Sequence, residues 1–290
     1  MPSSETVGFI GTGVMGRSMA NHLLDAGYPV SVYNRTKERA NSLFEKGAVW
    51  RNSPGEVAAS SSVVITIVGF PNDVESVYLS ENGIVENANS GSLLIDMTTS
   101  SPVLAQKISQ SAAAKGVDTL DAPVSGGDIG AREARLSIMV GGEEQAFDRA
   151  KPLFDCMGKN IMLMGSAGAG QHTKMSNQIA IASGMIGICE SMIYAKQSGL
   201  DPARVVQCIE SGAAGSWSLS NLAPRFLKGN FDPGFFVKHF IKDMKIAIEV
   251  AEDMKLDLPG LALAKRLYEQ VVSEGGEDFG TQALYKIYDR

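Results

Sequence analysis

Lys174 and Asn177 stand three positions apart in residues 165–178, G-S-A-G-A-G-Q-H-T-K-M-S-N-Q. On a helix, positions i and i+3 share a face. An ammonium and an amide projecting together beside an interdomain cleft can handle a carbonyl or hydroxyl oxygen. The spacing fits a solvated helix lysine equally well. A second run, Asp121-Ala-Pro-Val-Ser-Gly-Gly127, brings the hydroxyl of Ser125 next to the N–H groups of Gly126 and Gly127. Such groups can form a nest for a carboxylate, although alone the run reads as a Pro/Gly turn.

The third constellation is V-G-F-I-G-T-G-V-M-G at 7–16. Gly11, Gly13 and Gly16 stand in G-x-G-x-x-G register between a strand pattern and a helix pattern, with Thr12, Val14 and Met15 between them. Gly11 permits the tight turn, Gly13 lets a pyrophosphate approach bare backbone, and Gly16 lets helix and strand pack closely. The helix N-terminus offers unpaired N–H groups to the anion. The second strand ends at Asn34-Arg35-Thr36, roughly 20 residues on, where NAD-specific folds place an acid. No acid stands there. Arg35 offers a guanidinium suited to a 2′-phosphate, and Asn34 and Thr36 can add neutral hydrogen bonds. NADP(H) is therefore favoured and NAD(H) remains possible. The plainer alternative has Thr36 capping a helix over 37–46 and Arg35 solvated.

These residues need a scaffold that alternates strand and helix. Strand patterns fall at 6–11, 29–34, 62–68, 92–97, 117–122, 136–141 and 160–164, with helical patterns between most of them, as at 101–115 and 143–157. That alternation predicts an α/β fold, a Rossmann-type doubly wound parallel sheet with helices on both faces. After Gly170 strand patterns stop. A long apolar helix is expected over 172–198, buried on several sides. Asp201-Pro202 reads as an N-cap and first-turn proline, and 234–255 and 259–274 continue as helices. The expected division is a dinucleotide-binding domain at 1–165 and an all-helical C-terminal domain at 166–290, joined by the long helix.

The 290 residues carry a net charge of −6, which argues against a nucleic-acid partner. An anionic cofactor must be held by local positive groups. Three cysteines match neither a zinc site nor C-x-x-C, so no metal is expected, and reduced thiols suit a cytoplasmic protein. No signal peptide is visible, and the apolar stretch at 179–188 falls short of the roughly 20 residues that span a bilayer. The apolar helix and the many methionines point to a homodimer or homotetramer.

F-I-G-T-G-V-M-G, D-A-P-V-S-G-G and G-A-G-Q-H-T-K-M-S-N-Q, in this order, resemble the β-hydroxyacid dehydrogenase family over nearly the whole chain. Its members include 3-hydroxyisobutyrate dehydrogenases and reductases of tartronate or succinic semialdehyde and glyoxylate. The resemblance implies hydride transfer between a nicotinamide cofactor and a small carboxylate-bearing substrate, a short 3-hydroxy acid or aldehyde acid. It implies Lys174 as the catalytic lysine, Asn177 as a substrate ligand, and Ser125, Gly126 and Gly127 as the carboxylate-binding turn. It also implies cofactor contacts from Val68, Gly69, Phe70 and Pro71, from Thr99, and from Lys242. Many relatives carry a second asparagine where this chain has Gln178. By position alone Lys238, Lys242 and Lys245 share a helix face, and a solvated stripe would be the default. A 6-phosphogluconate dehydrogenase would need a longer helical domain. Imine reductases replace the lysine that is present here, and a non-catalytic NADP(H) sensor need not keep Ser125, Lys174 and Asn177.

Overall fold

The computed structural model describes residues 5–289. Its contacts divide the chain between Lys174 and Met175 into two units. In the first, short uncharged runs such as V-G-F-I become strands buried on both faces. The elements follow in the order β1 (Val7–Ile10), α1 (Gly16–Asp25), β2 (Val30–Tyr33), β3 (Val49–Trp50), β4 (Val63–Thr66), α2 (Pro71–Leu79), β5 (Leu93–Asp96) and α3 (Pro102–Ala113). They continue with β6 (Asp118–Asp121), β7 (Val124–Ser125), α4 (Gly127–Arg132), β8 (Leu136–Gly142), α5 (Glu144–Asp155) and β9 (Gly158–Gly165).

The strand order is β3-β2-β1-β4-β5-β6-β8-β7, with β9 paired to β8. From β3 to β6 every pairing is parallel. The order 3-2-1-4-5-6 is that of a dinucleotide-binding doubly wound sheet, which binds ligands beyond the carboxyl ends of the strands where the order reverses. Here that reversal lies between β1 and β4. Beyond β6 the sheet changes character: β8 runs antiparallel to β6 and β7 and parallel to β9. Alternate residues feed opposite cores, as the period of a strand requires. Phe9, Ile65 and Ile95 pack on one face, and Ile10, Val64 and Leu94 on the other.

The sequence reading is corrected in three places. β3 and β7 are two residues each, too short to carry a period. The single helix expected over 37–46 is a 3-10 turn, Lys37–Ala40, followed by one helical turn, Asn41–Phe44. Thr36 makes no capping bond with its side chain; its carbonyl instead accepts from Asn34 Nδ2 at 2.7 Å. The antiparallel placement of β8 was also not visible in its pattern.

The 29-residue helix α6 (Ala169–Gln197) runs through the division of the chain. By length and composition alone it could cross a membrane. In the second unit Ala182, Met185, Cys189 and Met192 of this helix are buried in the apolar core. The expectation of burial on several sides holds only in part, because Ala180, Ser183, Gly184 and Gly187 are exposed in the single chain. Asp201 caps α7 (Pro202–Ile209) by accepting from Ala203 N–H at 2.9 Å, with Pro202 in the first turn. The helices α8 (Val237–Asp253) and α9 (Pro259–Ser273) pack through an edge-to-face contact of Phe240 and Tyr268, 5.1 Å between ring centres.

Candidate active site

The three fingerprint glycines answer to different constraints. Gly11 has φ +98°, and a Cβ there would lie 2.1 Å from the Ile67 carbonyl oxygen. A Cβ on Gly16 would lie 1.9 Å from the Gly11 oxygen. Both are therefore required by the fold. A Cβ on Gly13 would meet no other atom within 4 Å. No packing within the chain demands glycine at that position, and the space beside its backbone is open to a ligand. The first turn of α1 has no side-chain cap and no acidic residue, which leaves its N–H groups and positive dipole end for an anion. Thr12 Oγ1 is buried without a hydrogen-bond partner, a polar atom that a bound nucleotide would satisfy. These features fit a dinucleotide.

Asn34 spans the turn: its Oδ1 accepts from Thr12 N–H at 3.0 Å, and its Nδ2 donates to Thr36 O at 2.7 Å. The amide thus braces the glycine loop against the turn after β2. Arg35 is highly exposed, its side chain at 86%, and is tied by one 3.4 Å contact to Asp73. Asp73 also accepts from the Phe70 N–H at the start of α2, 3.1 Å away. Arg35 therefore stands beside the segment Val68-Gly69-Phe70-Pro71, with a guanidinium that can turn without desolvation.

The carboxyl ends of β4, β5 and β6 carry a buried polar seam. Thr66 Oγ1 shares a 3.0 Å hydrogen bond with Tyr78 OH and donates to Asp96 Oδ1 at 2.8 Å. Thr98 N–H donates to Asp96 Oδ1 at 3.0 Å, and Thr98 Oγ1 accepts from Val68 N–H at 2.9 Å. Thr99, the residue carried by the resemblance, is half-buried beside it. Asp96 and Asp121 are register partners on adjacent strands. Burial pushes the carboxyl of each up to about 6, against the threonine donors that pull Asp96 down and the backbone N–H donors that pull Asp121 down. For Asp96 the neighbouring Asp121 adds to the rise.

Asp121 accepts from Gly168 N–H at 2.7 Å and from Gln171 N–H at 2.8 Å. Gln171 in turn donates through Nε2 to Thr98 O at 2.7 Å and accepts from Ser100 N–H at 2.9 Å. The start of α6 is thereby bound to two strand ends. Lys174 follows Gln171 by three positions and is itself buried, 6% exposed. Ser125, Gly126 and Gly127 are half-buried where β7 meets α4. Gly126 and Gly127 have φ of +129° and +63°, conformations that side chains disfavour.

In the second unit, Asp243 is fully buried. Lys242 Nζ forms an ion pair with its Oδ1 at 2.9 Å, although the alignment is not that of a hydrogen bond. Gln178 Nε2 donates to Asp243 Oδ2 at 2.6 Å, and Asn177 Nδ2 donates to Gln178 Oε1 at 2.7 Å. The Gln178 amide thus turns its nitrogen to Asp243 and its oxygen to Asn177, linking the three side chains in one line. Lys242 leaves the solvated stripe: its side chain is 11% exposed, whereas Lys238 is 42% and Lys245 66% exposed. Asp96, Thr98 and Gln171 were not singled out in the sequence. A polar end to an otherwise apolar strand was the available signal for Asp96 and Thr98; Gln171 lies in the first turn of α6 and had none. Among the described residues no group of histidine, cysteine and acidic side chains could hold a metal ion.

The chain and its fold have known relatives. The family model for the NAD binding domain of 6-phosphogluconate dehydrogenase matches residues 6–165. The model for NAD-binding of NADP-dependent 3-hydroxyisobutyrate dehydrogenase matches 168–288. The chain is 59% identical to an uncharacterized oxidoreductase of Bacillus subtilis, covering 98% of this chain and 99% of that one. It is 38% identical to the 2-hydroxy-3-oxopropionate reductase of Escherichia coli, over 98% and 97% of the two chains. The structure of Mycobacterium tuberculosis 3-hydroxyisobutyrate dehydrogenase with L-serine superposes with a TM-score of 0.90 at 28% identity, covering 99% of this chain and 100% of that one.

The glycine geometry predicts a split between two variants. Gly13→Ala should leave the melting temperature within about 2 °C while weakening NADPH binding at least tenfold. Gly16→Ala should lower the melting temperature by several degrees, since overpacking costs about 1–3 kcal/mol. Calorimetry and cofactor fluorescence titration of both would check this. The seam gives a second expectation. The folded-state values of Asp96 and Asp121 lie above those of the unfolded chain. The folded protein then holds more protons between pH 4 and 6, so these groups favour folding most at low pH and less as pH rises through about 6. In Asp96→Asn the pH 5 minus pH 7 difference in unfolding free energy should fall by about 1 kcal/mol, measured by urea titration.

Proposed function

The chain belongs to the β-hydroxyacid dehydrogenase family and is an NAD(P)-dependent oxidoreductase acting on the CH–OH group of hydroxy acids; from that premise we propose that Lys174 is its general acid/base and that its substrate is a short 3-hydroxy acid or the matching aldehyde acid. The observation that carries the reading is a buried lysine in the opening turns of a helix tied to the carboxyl edge of the nucleotide-binding sheet. When bound, the nicotinamide supplies or accepts the hydride.

The chain's own residues do the rest. In the proposal the backbone of Gly11, Thr12, Gly13, Val14, Met15 and Gly16 holds the pyrophosphate. Asn34, Arg35 and Thr36 face the adenosine ribose, with Val68, Gly69, Phe70, Pro71, Thr99 and Lys242 as further cofactor contacts. Ser125, Gly126, Gly127 and Asn177 hold the substrate carboxylate and its neighbouring oxygen. In reduction, Lys174 donates a proton to the alkoxide oxygen as it forms; in oxidation it removes that proton from the alcohol. Its charge also stabilises the oxyanion. The exposed guanidinium of Arg35, with no acid at the end of β2, favours NADP(H). We extend the proposal to a cytoplasmic homodimer or homotetramer. Free thiols at Cys156, Cys189 and Cys208 fit a reducing compartment, and Tyr194 and Trp217 are exposed on the single chain.

Lys174→Ala should lower kcat for the preferred aldehyde acid by roughly 10²–10⁴ with NADPH affinity nearly unchanged. Near-normal turnover in that variant refutes the assignment, and a screen of small aldehyde acids with both cofactors names the substrate. Arg35→Asp should weaken NADPH at least tenfold more than NADH in equilibrium titrations. Equal losses would mean that Arg35 does not read the 2′-phosphate.

A further inference from the structure

We propose that Asp121 is a positioning residue for proton transfer: its carboxylate seats the N-terminus of α6 and thereby fixes the rotation and depth at which Lys174 is presented. The inference rests on Lys174 being the general acid/base.

The seat is built around the carboxylate. Its two oxygens take N–H groups from different places, Gly168 before the helix and Gln171 within it. The Gln171 side chain adds bonds to Thr98 O and Ser100 N–H. Attachment at several points fixes a helix's rotation, which one cap does not. Glycine is required on both sides. A Cβ on Gly141 would lie 2.5 Å from Asp121 Oδ1, and one on Gly170 would lie 2.4 Å from both Asp121 O and Met139 O. The chain thus removes side chains from two positions to let the helix start close against the carboxylate. Lys174 lies four positions after Gly170 and three after Gln171, so it rides on the attached face.

An ordinary helix cap needs none of this. A serine or asparagine at the N-cap serves that purpose in open solvent. Here a carboxylate is 5% exposed and sits in register with a second carboxylate, Asp96. Both features penalise the charge. An arrangement that costs stability and serves position belongs at an active site. Asp121 is also the last residue of β6 and opens the run that leads to Ser125. One side chain therefore ties together the proton-carrying helix and the origin of the proposed carboxylate turn. A displacement of about 1 Å at a reacting group can cost about 10²-fold in rate, which sets the expected effect.

The test compares Asp121→Asn, Gln171→Leu and Lys174→Ala with the parent, using NADPH and the best aldehyde acid. Asp121→Asn keeps the volume but turns an amide N–H toward a backbone N–H. It should lower kcat about 10²-fold, with KM and the NADPH Kd within threefold. The solvent deuterium isotope effect on kcat should rise as the misplaced lysine makes proton transfer rate-limiting. Gln171→Leu leaves Asp121 in place, should show the same signature at about tenfold, and carries the test if Asp121→Asn does not fold. Folded variants with unchanged kcat per NADPH site overturn the proposal. So does a loss that appears in KM, or only in the folded fraction with an unchanged isotope effect. Near-normal turnover in Lys174→Ala defeats the underlying reading and this inference with it. An inactive Lys174→Ala beside a fully active Asp121→Asn defeats this inference alone.

Discussion

A carboxylate buried at the end of a strand holds the start of a 29-residue helix, and much of the first unit's carboxyl edge is organised around that contact. Asp121 sits between the glycines at 141 and 170, and its two hydrogen bonds reach 47 and 50 residues along the chain. Burying the charge is unfavourable by itself; the N–H donors of Gly168 and Gln171 offset it. Satisfied networks of this kind rigidify what they join. The parallel sheet supplies the geometry, because its register places Asp96 and Asp121 side by side at the edge where doubly wound sheets bind ligands.

The glycine turn at the other end of that edge obeys a different logic. Gly11 and Gly16 are glycines because carbonyl oxygens occupy the space of their Cβ atoms. Gly13 is a glycine although nothing in the chain crowds it. The two kinds of constraint coincide in one motif, and only the structure separates them. Asn34 belongs to the same unit of construction: by bridging Thr12 and Thr36 it couples the end of β2 to the loop after β1. The ribose side and the pyrophosphate side of a nucleotide would then meet a single braced surface.

Much of this was legible in the sequence because the signals were local. The G-x-G-x-x-G register and the apolar runs of β1, β4 and β5 are patterns over a few residues, as is the start of α7 at Asp201-Pro202. What was not legible depends on long-range pairing. The Gln171 side chain bonds to Thr98 across 73 residues and to Ser100 across 71, and no periodicity announces that. β3 and β7 are too short to have a period. Lys242 and Lys245 look alike on a helix diagram; the buried Asp243 distinguishes them. Thr36 reads as a cap by residue type, but the Asn34 amide engages its carbonyl and leaves the side chain without a capping bond.

The placement of cations carries one more consequence. A chain of net charge −6 repels an anionic cofactor at long range, so attraction must come from groups within about a Debye length, roughly 8–10 Å. Of the cofactor contacts proposed above, Arg35 and Lys242 are the cations, and they stand in opposite settings. Lys242 is largely shielded and paired with a fully buried carboxylate, so changing it would leave Asp243 without its cation in the core. Arg35 is solvated and tied by one long contact to Asp73, a pair worth little to stability. A change of residue at position 35 is therefore free of the packing that constrains position 242. With Arg35 facing the ribose as proposed, position 35 can be altered to retune the cofactor without disturbing a core, whereas position 242 is held by its pairing with Asp243.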